Sequence, residues 1–194
     1  MAIMIAVVDP ASADDAQLQT LAAAGVKGIR LAEIGGGIGL DRLDDAAALC
    51  REMGWHLQLC ARPERYLELG RQLTDMQLPY VLDHMAFCVR PESSALRSAI
   101  LALARSTPCY VKLSAPFRLS TTEFPYADIR TGVLEIIEHL PERVLWGSDW
   151  PHVGLFPPQQ PPRVGELLDA FDAWGVPQQT KHRILVQNPK ELYE

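Results

Sequence analysis

Six short apolar runs alternate with segments of helical period, and this alternation constrains the fold more than any other feature of the chain. The runs occupy residues 5–8, 28–31, 56–60, 80–82, 110–113 and 144–146, each about as long as a buried strand. Between them the spacing predicts helices over 14–24, 43–53, 62–76, 92–106 and 126–140. A last pair, over 162–174 and 177–186, follows a proline-rich loop at 156–162. Ser12 is the expected cap of the first helix and Gly25 its stop. The second helix carries Leu43, Ala46, Ala47, Leu49 and Cys50 on one face and stops at Gly54. A βαβα order with near-continuous apolar strands calls for a parallel sheet covered by helices. Both a doubly wound sheet and a (β/α)8 barrel satisfy it.

Composition narrows the partners. The chain has 194 residues, 48% hydrophobic and 22% charged, enough for one domain over 1–194 with a sizeable core. Its net charge is −6 and its basic residues are scattered, which argues against nucleic acid and against an anionic membrane surface. A small-molecule substrate is the expected partner. Cys50, Cys60, Cys88 and Cys109 sit apart in apolar runs and read as buried free thiols. The start MAIMIAVVDP has no basic flank and breaks at Pro10, unlike a signal peptide or membrane span, so the cytoplasm is the expected compartment.

In either α/β architecture the carboxyl ends of the strands gather the site. Three of these ends are polar. YVLDHMA places Asp83 and His84 after its strand, YVKLSAPFRLS carries Lys112, Ser114 and Arg118, and VLWGSDWPH ends on Ser148, Asp149 and His152. Lys112 is notable because a lysine inside an apolar strand needs a partner, an anion or an outward position. GGGIG, Gly35 to Gly39, lacks a following Lys-Ser/Thr and reads as a strand-to-helix loop, not a phosphate cradle.

Together with the terminal ILVQNPKELY, these motifs resemble the amidohydrolase superfamily, in its amidohydrolase-2 branch of pyrone-dicarboxylate and sugar lactonases. The resemblance implies an α/β fold of the (β/α)8 TIM-barrel type, in which His84 ends the sixth family strand and Asp149 closes the last. It implies a hydrolase that opens a cyclic ester. Asp149 would activate water as general base, alone or on a divalent metal such as zinc, and His84 would contact that metal or the substrate. Asp149 and His84 are thus both the catalytic pair and the expected metal ligands, if a metal is bound at all. Arg30, Lys112, Arg118 and His152 are the expected substrate contacts, and three cations there favour an anionic lactone. Asp83 and Glu33 are the alternative partners for Arg30.

The resemblance also departs from the family pattern. The family's first strand ends in His-x-His, and here the five histidines, His56, His84, His139, His152 and His182, all stand alone. Matched by pattern, AVVDP is the third family strand, which leaves about six of eight βα units and an expected N-terminal truncation. The alternatives are a zinc-dependent decarboxylase of the same superfamily and a non-catalytic fragment or binding module. Open sheet edges would invite pairing with another chain, including a second copy.

Overall fold

The computed structural model describes residues 3–155 and 161–194, so most of the proline-rich stretch 156–162 lies outside the described residues. Six strands form one sheet: β1 Met4–Ala6, β2 Val26–Ala32, β3 His56–Cys60, β4 Tyr80–Leu82, β5 Cys109–Ser114 and β6 Val144–Gly147. Every neighbouring pair is parallel, and the spatial order follows the chain order from β1 to β6. This order decides between the two architectures. A doubly wound sheet reverses direction at a switch point, whereas winding one way throughout builds a barrel wall. The sheet is a curled wall of six strands out of the eight a closed barrel has. Among the described residues, β1 and β6 each pair on one side only.

Alternation along the strands separates core from site. On β2, Ile29 and Leu31 are buried in the apolar core while Arg30 between them lines a cavity. On β3, Leu57 and Leu59 do the same around Gln58, and the register sets Arg30 beside Gln58 and Gly28 beside His56. Gly28 is required by the closeness of that second pair: an added Cβ would fall 2.6 Å from the His56 carbonyl oxygen.

The helices follow the predicted periodicity, with changes at their ends. Helix α1, Asp15–Ala24, is capped by Asp14 and not by Ser12, because the Asp14 carboxylate accepts the Gln17 N–H at 2.8 Å. Helix α2, Leu43–Met53, buries Leu43, Ala46, Ala47 and Cys50, and Gly54 ends it at φ 65°. Burying Leu43 alone is worth about 1.5–3 kcal/mol. The helix predicted over 62–76 is two helices, α3 Pro63–Glu68 and α4 Gly70–Asp75, broken at Leu69 before the flexible Gly70. Helices α5 Ser94–Ser106, α6 Pro116–Leu119, α7 Arg130–His139 and α8 Val164–Ala173 follow.

The helix predicted over 177–186 is α9 Gln178–His182 running into a π-turn over Arg183–Gln187, and a further helix, α10 Asn188–Tyr193, follows beyond the predicted end. Pro189 near the start of α10 has no N–H for the preceding turn, and the chain widens just before it. Asn188 is buried and ties α10 to the sheet, donating to the Pro141 carbonyl at 3.1 Å and the Val144 carbonyl at 2.7 Å. Asn188→Ala is expected to lower stability by about 1–3 kcal/mol, since it strands two carbonyls beneath β6. Urea melts of the two proteins check this. All four cysteines are free and buried, and burial pushes the Cys50, Cys88 and Cys109 thiols up to about 12. No helix among the described residues is long and apolar enough to cross a membrane.

Candidate active site

The carboxyl ends of β2 to β6 enclose a cavity of about 600 Å³. Arg30, Asp83, His84, Lys112, Arg118 and Asp149 all line it, so four strands and the loops after them deliver six ionisable side chains to one space. His152 does not join them. Its ring is buried edge-on against Phe117 at 5.3 Å, and its Nδ1 has no partner among the described residues.

Asp83 is the hub. It is 2% exposed, and its Oδ2 accepts from Arg30 Nε at 3.0 Å and from Gln58 Nε2 at 3.1 Å. Its Oδ1 accepts from Lys112 Nζ at 3.0 Å. Three strands thus converge on one carboxylate. Burial alone would push the Asp83 carboxyl up, but Lys112, His84 and Arg30 outweigh it and hold the group below its ordinary value. This settles the partners of two expected substrate contacts: Lys112 and Arg30 both pair with Asp83, while Glu33 pairs with Arg65.

His84 reaches the cavity through unusual backbone. Residues His84, Met85, Ala86 and Phe87 all have φ between 50° and 54°, a left-handed turn with no glycine in it. Such residues cost roughly 1–2 kcal/mol each and persist only where the surroundings hold them. Arg97 on α5 supplies part of that hold. It is 3% exposed, and it donates to the carbonyls of Cys88 at 2.9 Å and Arg90 at 3.1 Å just beyond the turn. The imidazole meets Ser114 Oγ at 2.9 Å through Nδ1, and its Nε2 stands 3.8 Å from Asp149 Oδ1. Burial lowers the His84 pKa, against the opposing pull of Asp83 and Asp149, so the ring is neutral near pH 7. If the Ser114 hydroxyl donates to Nδ1, the ring proton sits on Nε2 and points into the cavity.

Asp149 closes the site from β6, itself at φ 63°. Its Oδ2 accepts from Arg118 Nε at 2.7 Å, and Arg118 is braced by a second bond, Nη2 to the Val153 carbonyl at 2.8 Å. The separation of 3.8 Å between His84 Nε2 and Asp149 Oδ1 is too long for a hydrogen bond. One oxygen atom sitting off that line can contact both. Three cations and two carboxylates line the cavity, so a chain of net charge −6 presents a locally cationic pocket.

Cys60, Asp83 and His84 bring potential metal-ligand atoms within 4.8 Å of one another. Their chemistry does not fit a divalent cation. Both Asp83 oxygens are taken by donors, two of them cationic, and burial pushes the Cys60 thiol up to about 11, which keeps it protonated. The expected pair, His84 and Asp149, offers two ligands with the Arg118 guanidinium already on one of them. Gln58 and Cys60 were not among the expected site residues. The available signal was Gln58 itself, a polar side chain centred in the otherwise apolar strand HLQLC.

A one-way-wound parallel wall with carboxylate, imidazole and guanidinium groups at its carboxyl ends defines a barrel-type α/β fold with a strand-end site. The amidohydrolase family model matches residues 1–194, and the chain belongs to that family. Among its relatives, 4-sulfomuconolactone hydrolase of Rhizobium radiobacter is 31% identical over 186 residues, which is 91% of this chain and 61% of that protein. A solved structure from Agrobacterium tumefaciens superposes with a TM-score of 0.83 at 24% identity, over 97% of this chain and 68% of that one. A second, a probable 2-pyrone-4,6-dicarboxylic acid hydrolase from Acinetobacter baumannii with citric acid bound, gives 0.78 at 26% identity, over 97% and 72%. The chain spans roughly three fifths of the length of the curated relatives it matches, 60–65%.

Proposed function

We propose that this chain carries the hydrolytic site of a lactonase that opens an anionic cyclic ester such as a pyrone dicarboxylate. The observation that carries the reading is the cationic cavity in which a carboxylate and a neutral imidazole stand one oxygen atom apart. The relatives' names, a sulfonated muconolactone hydrolase and a pyrone-dicarboxylic acid hydrolase, point the same way.

In this reading Arg118, with Arg30 and Lys112 behind it, holds the substrate's carboxylates. Asp149 takes a proton from water as the water oxygen bonds to the lactone carbonyl carbon. The His84 N–H steadies the oxyanion that forms. Collapse of that intermediate breaks the ring carbon–oxygen bond, and the proton held by Asp149 passes to the departing ring oxygen. Water is consumed, the ring opens to a carboxylic acid and a hydroxyl on one molecule, and the new acid loses its proton to solvent to leave a carboxylate. No step in this reading runs through a metal, because both Asp83 oxygens are taken by donors and Arg118 already occupies Asp149 Oδ2.

The test follows ring opening of 2-pyrone-4,6-dicarboxylate by loss of ring absorbance, before and after exhaustive chelation. Turnover that survives chelation is expected. Absence of turnover overturns the reading, as does activity that disappears with the chelator and returns with zinc, or carbon dioxide in place of the ring-opened acid.

A further inference from the structure

The cavity presents two kinds of surface. Its floor is polar: Arg30, Gln58 and Lys112 project from within β2, β3 and β5 and meet on Asp83. Its rim is built by residues beyond the strand ends and carries Ile34, Phe87, Trp150 and Val153. Two of these are left in water, Trp150 at 75% and Val153 at 76% exposure. Single exposed apolar residues scattered over a surface need no explanation. These two are not scattered, since both line the cavity that holds the cations. An indole left in water also forgoes the large free energy that its burial would contribute.

The exposure is not that of a loose segment. Ser148 Oγ accepts the Trp150 N–H at 3.2 Å, the His152 N–H donates to the Asp149 carbonyl at 2.7 Å, and the Val153 carbonyl accepts from Arg118 at 2.8 Å. The His152 ring, 5% exposed, is buried edge-on against Phe117. The segment is thus pinned through its backbone and through His152, while Trp150 and Val153 on either side of that anchor stay open at the cavity mouth. An anchored apolar face above a cationic floor complements a body that is flat and apolar on one side and anionic at its edge.

We propose that Trp150 is a stacking platform that selects flat, unsaturated anionic rings: the indole covers the face of the ring while the ring's carboxylates reach the cations of the floor. Two flat conjugated rings gain from offset stacking in addition to the area they bury, whereas a puckered saturated ring meets the indole at only a few C–H groups. The inference rests on the lactonase reading for the identity of the ring as a substrate, and it adds to that reading a residue that sets specificity between ring types. It concerns binding alone, with no bond made or broken.

The experiment uses two unreactive dicarboxylates of equal charge and ring size, benzene-1,3-dicarboxylate and cis-cyclohexane-1,3-dicarboxylate, titrated calorimetrically into the unaltered chain, Trp150→Ala and Trp150→Phe. Both offer two carboxylates in the same 1,3 arrangement, and only the first is flat. The unaltered chain is expected to bind the benzene compound about tenfold more tightly, or about 1.4 kcal/mol. In Trp150→Ala that preference disappears because the flat ring alone is weakened, and Trp150→Phe restores most of it. KM for 2-pyrone-4,6-dicarboxylate rises about tenfold in the alanine variant. Thermal melts of all three proteins are expected to coincide, since the side chain replaced is exposed. The platform is overturned if the unaltered chain binds the two rings alike or binds neither, or if Trp150→Ala weakens both alike. Pyrone turnover measured alongside separates the two ideas. A flat-ring preference that depends on Trp150 but comes without turnover removes the lactonase reading and keeps the platform, whereas turnover without the preference removes the platform alone.

Discussion

Asp149→Asn is expected to lower kcat for pyrone-dicarboxylate opening by about 10²- to 10⁴-fold, the range lost when a positioned general base is removed. Asparagine has nearly the shape of aspartate and keeps an oxygen to accept from Arg118 and a polar face toward His84, but it cannot take a proton from water. The substitution should therefore separate the two kinetic constants. In the proposed reading the substrate is held by Arg30, Lys112 and Arg118, none of which is changed, so KM moves little while kcat falls. Stability should also hold, because Asp149 sits on the cavity wall and its pair with Arg118 is partly exposed. Steady-state kinetics and a thermal melt on the same preparation check both halves. An unchanged kcat with an unchanged melt would remove Asp149 from the chemistry.

The expectation for Asp149 was available from the sequence because a carboxylate at the end of an apolar run has to be positioned by that run. The same logic exposed His84 after β4 and Lys112 within β5. It missed Gln58, whose uncharged amide demands no ion partner and whose role depends on meeting Asp83 across the sheet. The pairing of Arg118 with Asp149 joins residues 31 apart and was equally invisible, since no local pattern encodes which strand-end loops touch. His152 was an expected substrate contact, yet its ring is buried against Phe117. The left-handed turn over His84 to Phe87 carries no glycine or asparagine to announce it, because distant groups such as Arg97 impose it. Strand existence and parallel order were legible from periodicity. The choice of barrel over doubly wound sheet came from spatial strand order, which is a tertiary property.

Asp83→Ala is expected to be the most destabilising single change at the site, by about 3–5 kcal/mol, the cost of leaving a buried ion network with one sign of charge. The alanine would strand Arg30 and Lys112 together and leave the Gln58 amide without its acceptor. The pH dependence has a definite sign. The folded-state pKa of Asp83 lies below its ordinary value of 3.8, so the folded protein holds this proton less tightly than the unfolded chain does. Its contribution is fully present above the ordinary value and is lost as pH falls through the folded value. Unfolding free energy should thus fall in acid more steeply for the unaltered chain than for Asp83→Asn, which cannot titrate there. Removing the whole network tests what it is for. An Arg30→Met, Asp83→Leu, Lys112→Met triple variant should recover most of the stability lost in Asp83→Ala, because well-packed apolar groups replace buried ion pairs at little or no cost. It should nonetheless fail to bind an anionic ring. A triple variant that is stable but binds as well as the unaltered chain would show that these cations face one another and not the substrate.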